Sequence, residues 1–131
     1  MTVSGLGDKR RVMVLDDEAD ITTVMRRGLE ANGFSVDVFN DSEEAVRAFV
    51  PGRYDMLILD IRMPKMNGFD VYRELRKSDE KVRVAFMTAF EISDEEFQKV
   101  FPTIDVKCFF KKPVMISDLV SRISHVLSTP A

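Results

Sequence analysis

Apolar residues recur along the chain in two alternating rhythms. Runs of strand length stand at VMVL (12–15), FSVDVF (34–39), MLIL (56–59), RVAFM (83–87) and CFFK (108–111). Between them, apolar residues fall at helical spacing. Ile21, Val24, Met25 and Leu29 form an i, i+3, i+4, i+8 stripe that predicts a helix over 19–31, closed by Asn32-Gly33. Asp41 with Glu44 resembles a capping box, and Ala45, Val46, Phe49 and Val50 follow as a helix that Pro51-Gly52 stops. Gly68 precedes a helix carrying Phe69, Val71, Tyr72 and Leu75. Ser93-x-x-Glu96 is a capping box opening a helix over 93–101, with Phe97, Val100 and Phe101 ahead of Pro102. The last helix aligns Ile116, Leu119, Val120, Ile123 and Leu127 on one face.

Five strands alternating with five helices predict a parallel sheet covered on both faces. Runs one and three lack clean alternation, as strands buried on both sides do. Right-handed crossovers leave few topologies. The expected fold is α/β, a flavodoxin-like doubly wound (βα)5 unit with a five-stranded parallel sheet of order 2-1-3-4-5. Strands 1 and 3 are then neighbours at the switch point, where open α/β sheets bind ligands at strand carboxyl ends. The domain is expected over 11–128. Residues 1–10 carry no period and read as a flexible tail, and 129–131 read the same way.

Composition narrows the function. The chain has 131 residues, one domain's worth, and its 45% hydrophobic and 31% charged residues exclude a disordered or low-complexity chain. Lys+Arg 19 against Asp+Glu 22 leave a net charge of −3, so nucleic-acid binding by phosphate neutralisation is not expected. Cys108 alone makes neither an internal disulfide nor a thiolate metal site, and reads as a small core residue. His125 is the single histidine and falls about 180° from the apolar face of its helix, toward solvent. No apolar run is long enough for a membrane span, and no segment resembles a signal peptide, so a cytoplasmic protein is expected.

The strand ends hold the candidate chemistry. Strand 1 runs into Asp16-Asp17-Glu18 and strand 3 into Asp60. Adjacent strands 1 and 3 bring three carboxylates, Asp16, Asp17 and Asp60, together. At ~4 Å and an effective dielectric of ~20, each repelling pair costs on the order of 4 kcal/mol. A hard divalent cation relieves that repulsion, and Mg²⁺ suits a shallow site of carboxylates, waters and a phosphate. Acids at a strand end also favour the dipole of the following helix, so a solvated acidic loop is the plain alternative. Thr88 ends strand 4 and Lys112 ends strand 5. Singly they read as a satisfied hydroxyl and a surface charge. Together, opposite the acids, they supply a hydrogen-bond donor and a counter-charge for a phosphoryl group.

In this set the chain resembles the receiver domain of response regulators from two-component phosphorelay signalling. The resemblance covers about residues 11–128 and rests on Asp16-Asp17, on Asp60 in DIRMPKMNG with Pro64 and Gly68, on Thr88-Ala89 and on Lys112-Pro113. It implies that Asp60 accepts a phosphoryl group from a sensor histidine kinase or phosphotransfer protein. It implies Mg²⁺ as cofactor, held by Asp17, Asp60 and the carbonyl of Arg62, with Asp16 acting through water. Thr88 and Lys112 hold the phosphoryl oxygens, Phe109 is the switch aromatic coupled to Thr88, and Arg62 and Phe90 flank the approach of water. Output is expected at the helix over 93–101, the fifth strand and the last helix. The family's Lys-Pro bond is usually cis.

Several features depart from that pattern. The stretch between Thr88 and Lys112 is longer than usual, Asp105-Val106 replaces the small pair before strand 5, and Pro102 shortens the preceding helix. Lys111 beside Lys112 leaves two candidates for the site lysine, with Pro113 and strand alternation favouring Lys112. Met63 and Met66 are expected to pack the loop after Asp60. A flavin-binding flavodoxin would need a phosphate cradle where this chain has DDEAD. A metal-dependent hydrolase would want a general base near neutral pKa. An acidic interaction module that never accepts phosphate is the remaining rival.

Overall fold

The computed structural model describes residues 10–89 and 108–128. Strands β1 (Arg11–Leu15), β2 (Ser35–Phe39), β3 (Met56–Asp60), β4 (Arg83–Thr88) and β5 (Cys108–Lys111) form one sheet in the order β2-β1-β3-β4-β5. All four pairings are parallel. Helices α1 (Ala19–Ala31), α2 (Ser42–Ala48), α3 (Gly68–Arg76) and α4 (Ile116–Leu127) cover its faces. The doubly wound order expected from the sequence is the order found. The helix expected over 93–101, Phe90 and the tails over 1–9 and 129–131 lie outside the described residues.

Strand alternation divides the core in two. Val12, Val14, Met56, Ile58, Ala85, Met87 and Phe110 face α1 and α4, meeting Met25, Leu29, Leu119 and Ile123. Met13, Leu15, Leu57, Leu59, Val84 and Phe86 face α2 and α3, meeting Ala45, Phe69, Tyr72 and Leu75. β3 is buried at every residue, as its unbroken apolar run predicts. Leu119 and Ile123 are fully buried, each contributing roughly 1.5–3 kcal/mol. The guanidinium groups of Arg10 and Arg83 donate to the Leu127 and Val126 carbonyls at 2.8 and 2.7 Å. Two cations thus close the carbonyl end of α4, where the helix dipole favours them.

Three local expectations need correction. Val24 is 58% exposed, and the buried stripe of α1 is Thr22, Met25 and Leu29. At 100° per residue Val24 stands about 130° around the helix from the centre of that stripe. Helix α2 ends at Ala48 rather than Val50: Phe49 is already extended, at ψ 134°. Val50 precedes Pro51, which disfavours helical backbone there, and the Phe49 ring stacks on Tyr54 with centroids 5.9 Å apart. Asp41 caps α2 by accepting from the Glu44 N–H at 2.9 Å, which is half of the expected box. The full reciprocal box forms at α3, between Asn67 and Asp70.

Candidate functional site

The carboxyl ends of β1, β3, β4 and β5 meet at one rim. The Ile61 N–H bonds the Met87 carbonyl at 2.9 Å, and the Lys112 N–H bonds the Thr88 carbonyl at 2.8 Å. Both rungs carry the ladder one residue past the strands. Alternation then places Asp60 on the face of Met56 and Ile58, and Lys112 on that of Phe110. Thr88 lies on the opposite face, that of Val84 and Phe86. Asp16, Asp60 and Thr88 are all buried.

Lys112 ties the acids together. Its Nζ lies 2.6 Å from Asp16 Oδ2, 3.3 Å from Asp60 Oδ2 and 3.9 Å from Glu18 Oε1. The Lys112 side chain is 12% exposed, whereas Lys111 is an exposed residue. This separates the two lysine candidates, since only the first is turned into the rim. The Lys112–Pro113 peptide is cis, in line with the resemblance.

Asp16, Asp17 and Glu18 form the compact acid cluster, with one carboxylate oxygen of each within 4.8 Å of the others. Asp60 joins this group through Lys112 rather than as a fourth member of the cluster. The expected set Asp16, Asp17 and Asp60 therefore meets at the rim, and Glu18 is an addition that the sequence did not single out.

The charges are unequal in their settings. Burial raises the Asp60 pKa to about 6, helped by the negative charges of Asp16 and Asp17 and opposed by Lys112. Burial alone would lower Lys112, but Asp16 and Asp60 outweigh it and its pKa is raised. Asp16 Oδ1 accepts from the Glu18 N–H at 2.9 Å. Its Oδ2 is fully buried, and no aligned hydrogen bond reaches it even though Lys112 is close. Asp16, Glu18 and Asp60 share the Lys112 cation, and the negative charge left over at this buried rim fits a hard divalent cation.

The loop after β3 is held from two sides. The Gly68 N–H bonds the Ile61 carbonyl at 2.9 Å, and the Ser42 hydroxyl reaches the Pro64 carbonyl at 3.4 Å. Lys65 takes a left-handed backbone, φ 68°, and pairs with Asp41 at 3.4 Å and Glu43 at 3.2 Å. Met63 and Met66 pack partly buried against the core, as expected. Arg62 is exposed beside them. Phe109 is half-buried against the Phe86 face, the same face as Thr88.

Sequence reasoning passed over Asn40. Its side-chain amide donates to the Asp16 carbonyl at 2.8 Å and to Thr22 Oγ1 at 3.0 Å. A polar residue just past β2 was the available signal, but its partners appear only once β1 and β2 are paired.

A doubly wound α/β protein with buried acids and one lysine at its switch point is the class that this fold and rim define. The comparisons are specific within that class. The model of the response regulator receiver domain matches residues 12–124, and the chain belongs to that family. The transcriptional regulatory protein PrrA of Mycobacterium tuberculosis is 33% identical over 117 residues, covering 89% of this chain and 49% of PrrA. RprY of Bacteroides fragilis is 26% identical over 122 residues, covering 93% of this chain and 51% of RprY. The chain thus spans about half the length of these curated relatives. The non-phosphorylated HemR receiver domain of Leptospira biflexa shares the fold, with TM-score 0.82 and 24% identity over 94% of this chain and 98% of that one. A receiver domain from Clostridium thermocellum matches with TM-score 0.79 and 27% identity over 91% and 94%.

Proposed function

We propose that this receiver domain accepts a phosphoryl group on Asp60 from a phosphohistidine of a sensor histidine kinase or phosphotransfer protein. The observation that carries the reading is Lys112, held between Asp16 and Asp60 at one buried rim. With a pKa of about 6, the Asp60 carboxylate is mostly ionised at neutral pH and is a competent nucleophile. One Asp60 oxygen bonds to phosphorus as the phosphorus–nitrogen bond of the donor breaks. The electron pair of that bond stays on the donor imidazole, which takes its proton from solvent. The product is an acyl phosphate. Lys112 and the Thr88 hydroxyl are suited to hold the transferred oxygens.

Asp17, Asp60 and the Arg62 carbonyl would hold Mg²⁺, with Asp16 acting through water. When bound, Mg²⁺ supplies positive charge that lets a dianionic phosphoryl group approach the acids. Thr88 and Phe109 share one face of the sheet, which supports coupling of the hydroxyl to the aromatic ring as the switch. Arg62 and Phe90 are assigned to the path of the hydrolytic water. The domain catalyses its own phosphorylation and slow dephosphorylation, and is not a conventional enzyme.

Output would pass through the surface formed by the segment over 93–101, β5 and α4 to a partner protein. The net charge of −3 argues against direct nucleic-acid binding by this chain. Among the described residues no helix is long and apolar enough to cross a membrane. A cytoplasmic setting and a domain over 11–128 complete the proposal. Incubation with acetyl phosphate and Mg²⁺ tests it. One acid-labile phosphate per chain is expected, lost in Asp60→Asn; uptake at the wild-type rate by Asp60→Asn would overturn the assignment.

A further inference from the structure

The Asp16 backbone is tied to β2 by two different kinds of donor and acceptor. Its N–H bonds the Phe39 carbonyl at 3.1 Å, which extends the parallel ladder one rung beyond the Leu15–Phe39 pair. In a continuing parallel ladder its carbonyl would take the N–H of residue 41. The chain has left the sheet by that point. The Asn40 side-chain NH2 takes that carbonyl instead, at 2.8 Å, and reaches Thr22 Oγ1 at 3.0 Å.

The pairing has one chemical solution. The Asp16 carbonyl only accepts. The Thr22 hydroxyl gives its proton to the Ala19 carbonyl at 3.1 Å, so toward Asn40 it also accepts. Two acceptors need a group with two donors, and the carboxamide NH2 supplies them. Aspartate would repel both partners, and serine or threonine would serve one. Thr22 is 1% exposed, so the clamp joins β1, β2 and the first turn of α1 through a buried point.

We propose that Asn40 is a positioning residue for the metal-binding acids: its amide fixes the Asp16–Asp17 peptide and so presents Asp17 to a divalent cation. Asp17 itself is exposed, and the peptide on its N-terminal side sets where its carboxylate stands. Without the Asn40 amide the carbonyl of a fully buried residue loses its partner and that peptide is free to turn. The Asp17 carboxylate would then leave its position within 4.8 Å of Asp16 and Glu18. Preorganisation of this kind affects the affinity of the site, apart from any effect on folding.

The inference rests on Asp17 being a metal ligand, and the experiment separates the two claims. Mg²⁺ is titrated calorimetrically into wild type, Asp17→Asn, Asn40→Ala, Asn40→Ser and Thr22→Val, and melting temperatures are read with and without Mg²⁺. Wild type is expected to bind and Asp17→Asn to lose binding. Asn40→Ala is expected to weaken the Kd three- to tenfold and to reduce the Mg²⁺-induced rise in melting temperature. Asn40→Ser keeps one donor and is expected to fall between, which also guards against a poorly folded alanine variant. Thr22→Val removes one of the two acceptors that hold the Asn40 amide, and is expected to weaken the Kd less than Asn40→Ala does. Wild-type Kd in Asn40→Ala and Asn40→Ser, with Asp17→Asn dead, would overturn the role of Asn40 alone. Absence of Mg²⁺ binding by wild type would overturn both claims.

Discussion

Gly68 lies so close to the Asp60 carbonyl that a β-carbon on it would overlap that oxygen. The first residue of α3 therefore packs directly against the backbone of the proposed acceptor. The obstacle is backbone on both sides, so no rotamer change relieves it. Gly68→Ala is expected to destabilise the fold by about 3 kcal/mol. That corresponds to a fall of roughly 10 °C in melting temperature for a domain of this size. Phosphate uptake should fall with it, because the shift moves Asp60 itself. Thermal melts paired with acetyl phosphate labelling check both.

The pKa of Asp60 carries a pH signature. Its folded value, about 6, exceeds the ordinary 3.8. Between those values the unfolded chain loses this proton while the folded chain keeps it, so Asp60 lowers stability as pH rises through that window. Above about 6 the loss is complete and amounts to at most roughly 3 kcal/mol without a divalent cation. Asp60→Asn should therefore melt higher than wild type in EDTA at pH 7.5. The difference should shrink as pH falls from 6 toward 4. Melting curves across that range decide it; a gap independent of pH would contradict the assignment of the charge.

Lys112 and Lys111 should separate cleanly. Lys112→Met leaves Asp16 and Asp60 buried without their cation, which costs about 3–5 kcal/mol when one partner of a buried pair is removed. It should also abolish phosphorylation. Lys111→Ala, at an exposed position, should change stability by less than about 1 kcal/mol and keep phosphorylation. Denaturant titration of both variants, with the same labelling assay, checks the pair.

Arg62 and Phe90 set the lifetime of the acyl phosphate in the proposed mechanism. A long cation and a bulky apolar side chain, if they flank the water path as proposed, should obstruct an in-line water rather than orient it. Arg62→Asn and Phe90→Ala should each speed decay severalfold in Mg²⁺. Loss of acid-labile phosphate over time is the measurement, and unchanged decay in both would remove them from the water path.

Thr88 and Phe109 occupy one face of adjacent strands, with Phe86 paired to Phe109 across the ladder. A hydroxyl drawn toward bound phosphoryl oxygens would open space beside the half-buried ring. Structures with and without a phosphoryl mimic should show Thr88 displaced and Phe109 in a different rotamer. Thr88→Ala should accept phosphate yet leave Phe109 in its resting rotamer.

Periodicity alone determined the order of elements, because unbroken apolar runs such as MLIL serve strands covered on both faces and stripes such as Leu119–Ile123 serve helices on one. It also determined that Asp16, Asp17, Asp60, Thr88 and Lys112 stand at strand ends, since strand length and side-chain alternation are local properties. Other features depended on packing between distant segments. Val24 fits the helical stripe in the sequence, but the rotation of α1 on the sheet turns it to solvent and buries Thr22. Two adjacent lysines are equivalent as letters; the cis peptide and the β4–β5 register accompany the one that faces the acids. Asn40 met the Asp16 carbonyl only when β1 and β2 came together. Hydrogen bonds and charges act over a few Å in space, and the chain brings those atoms within reach from 24 residues apart, Asn40 to Asp16, and from 96 apart, Lys112 to Asp16 (112 − 16).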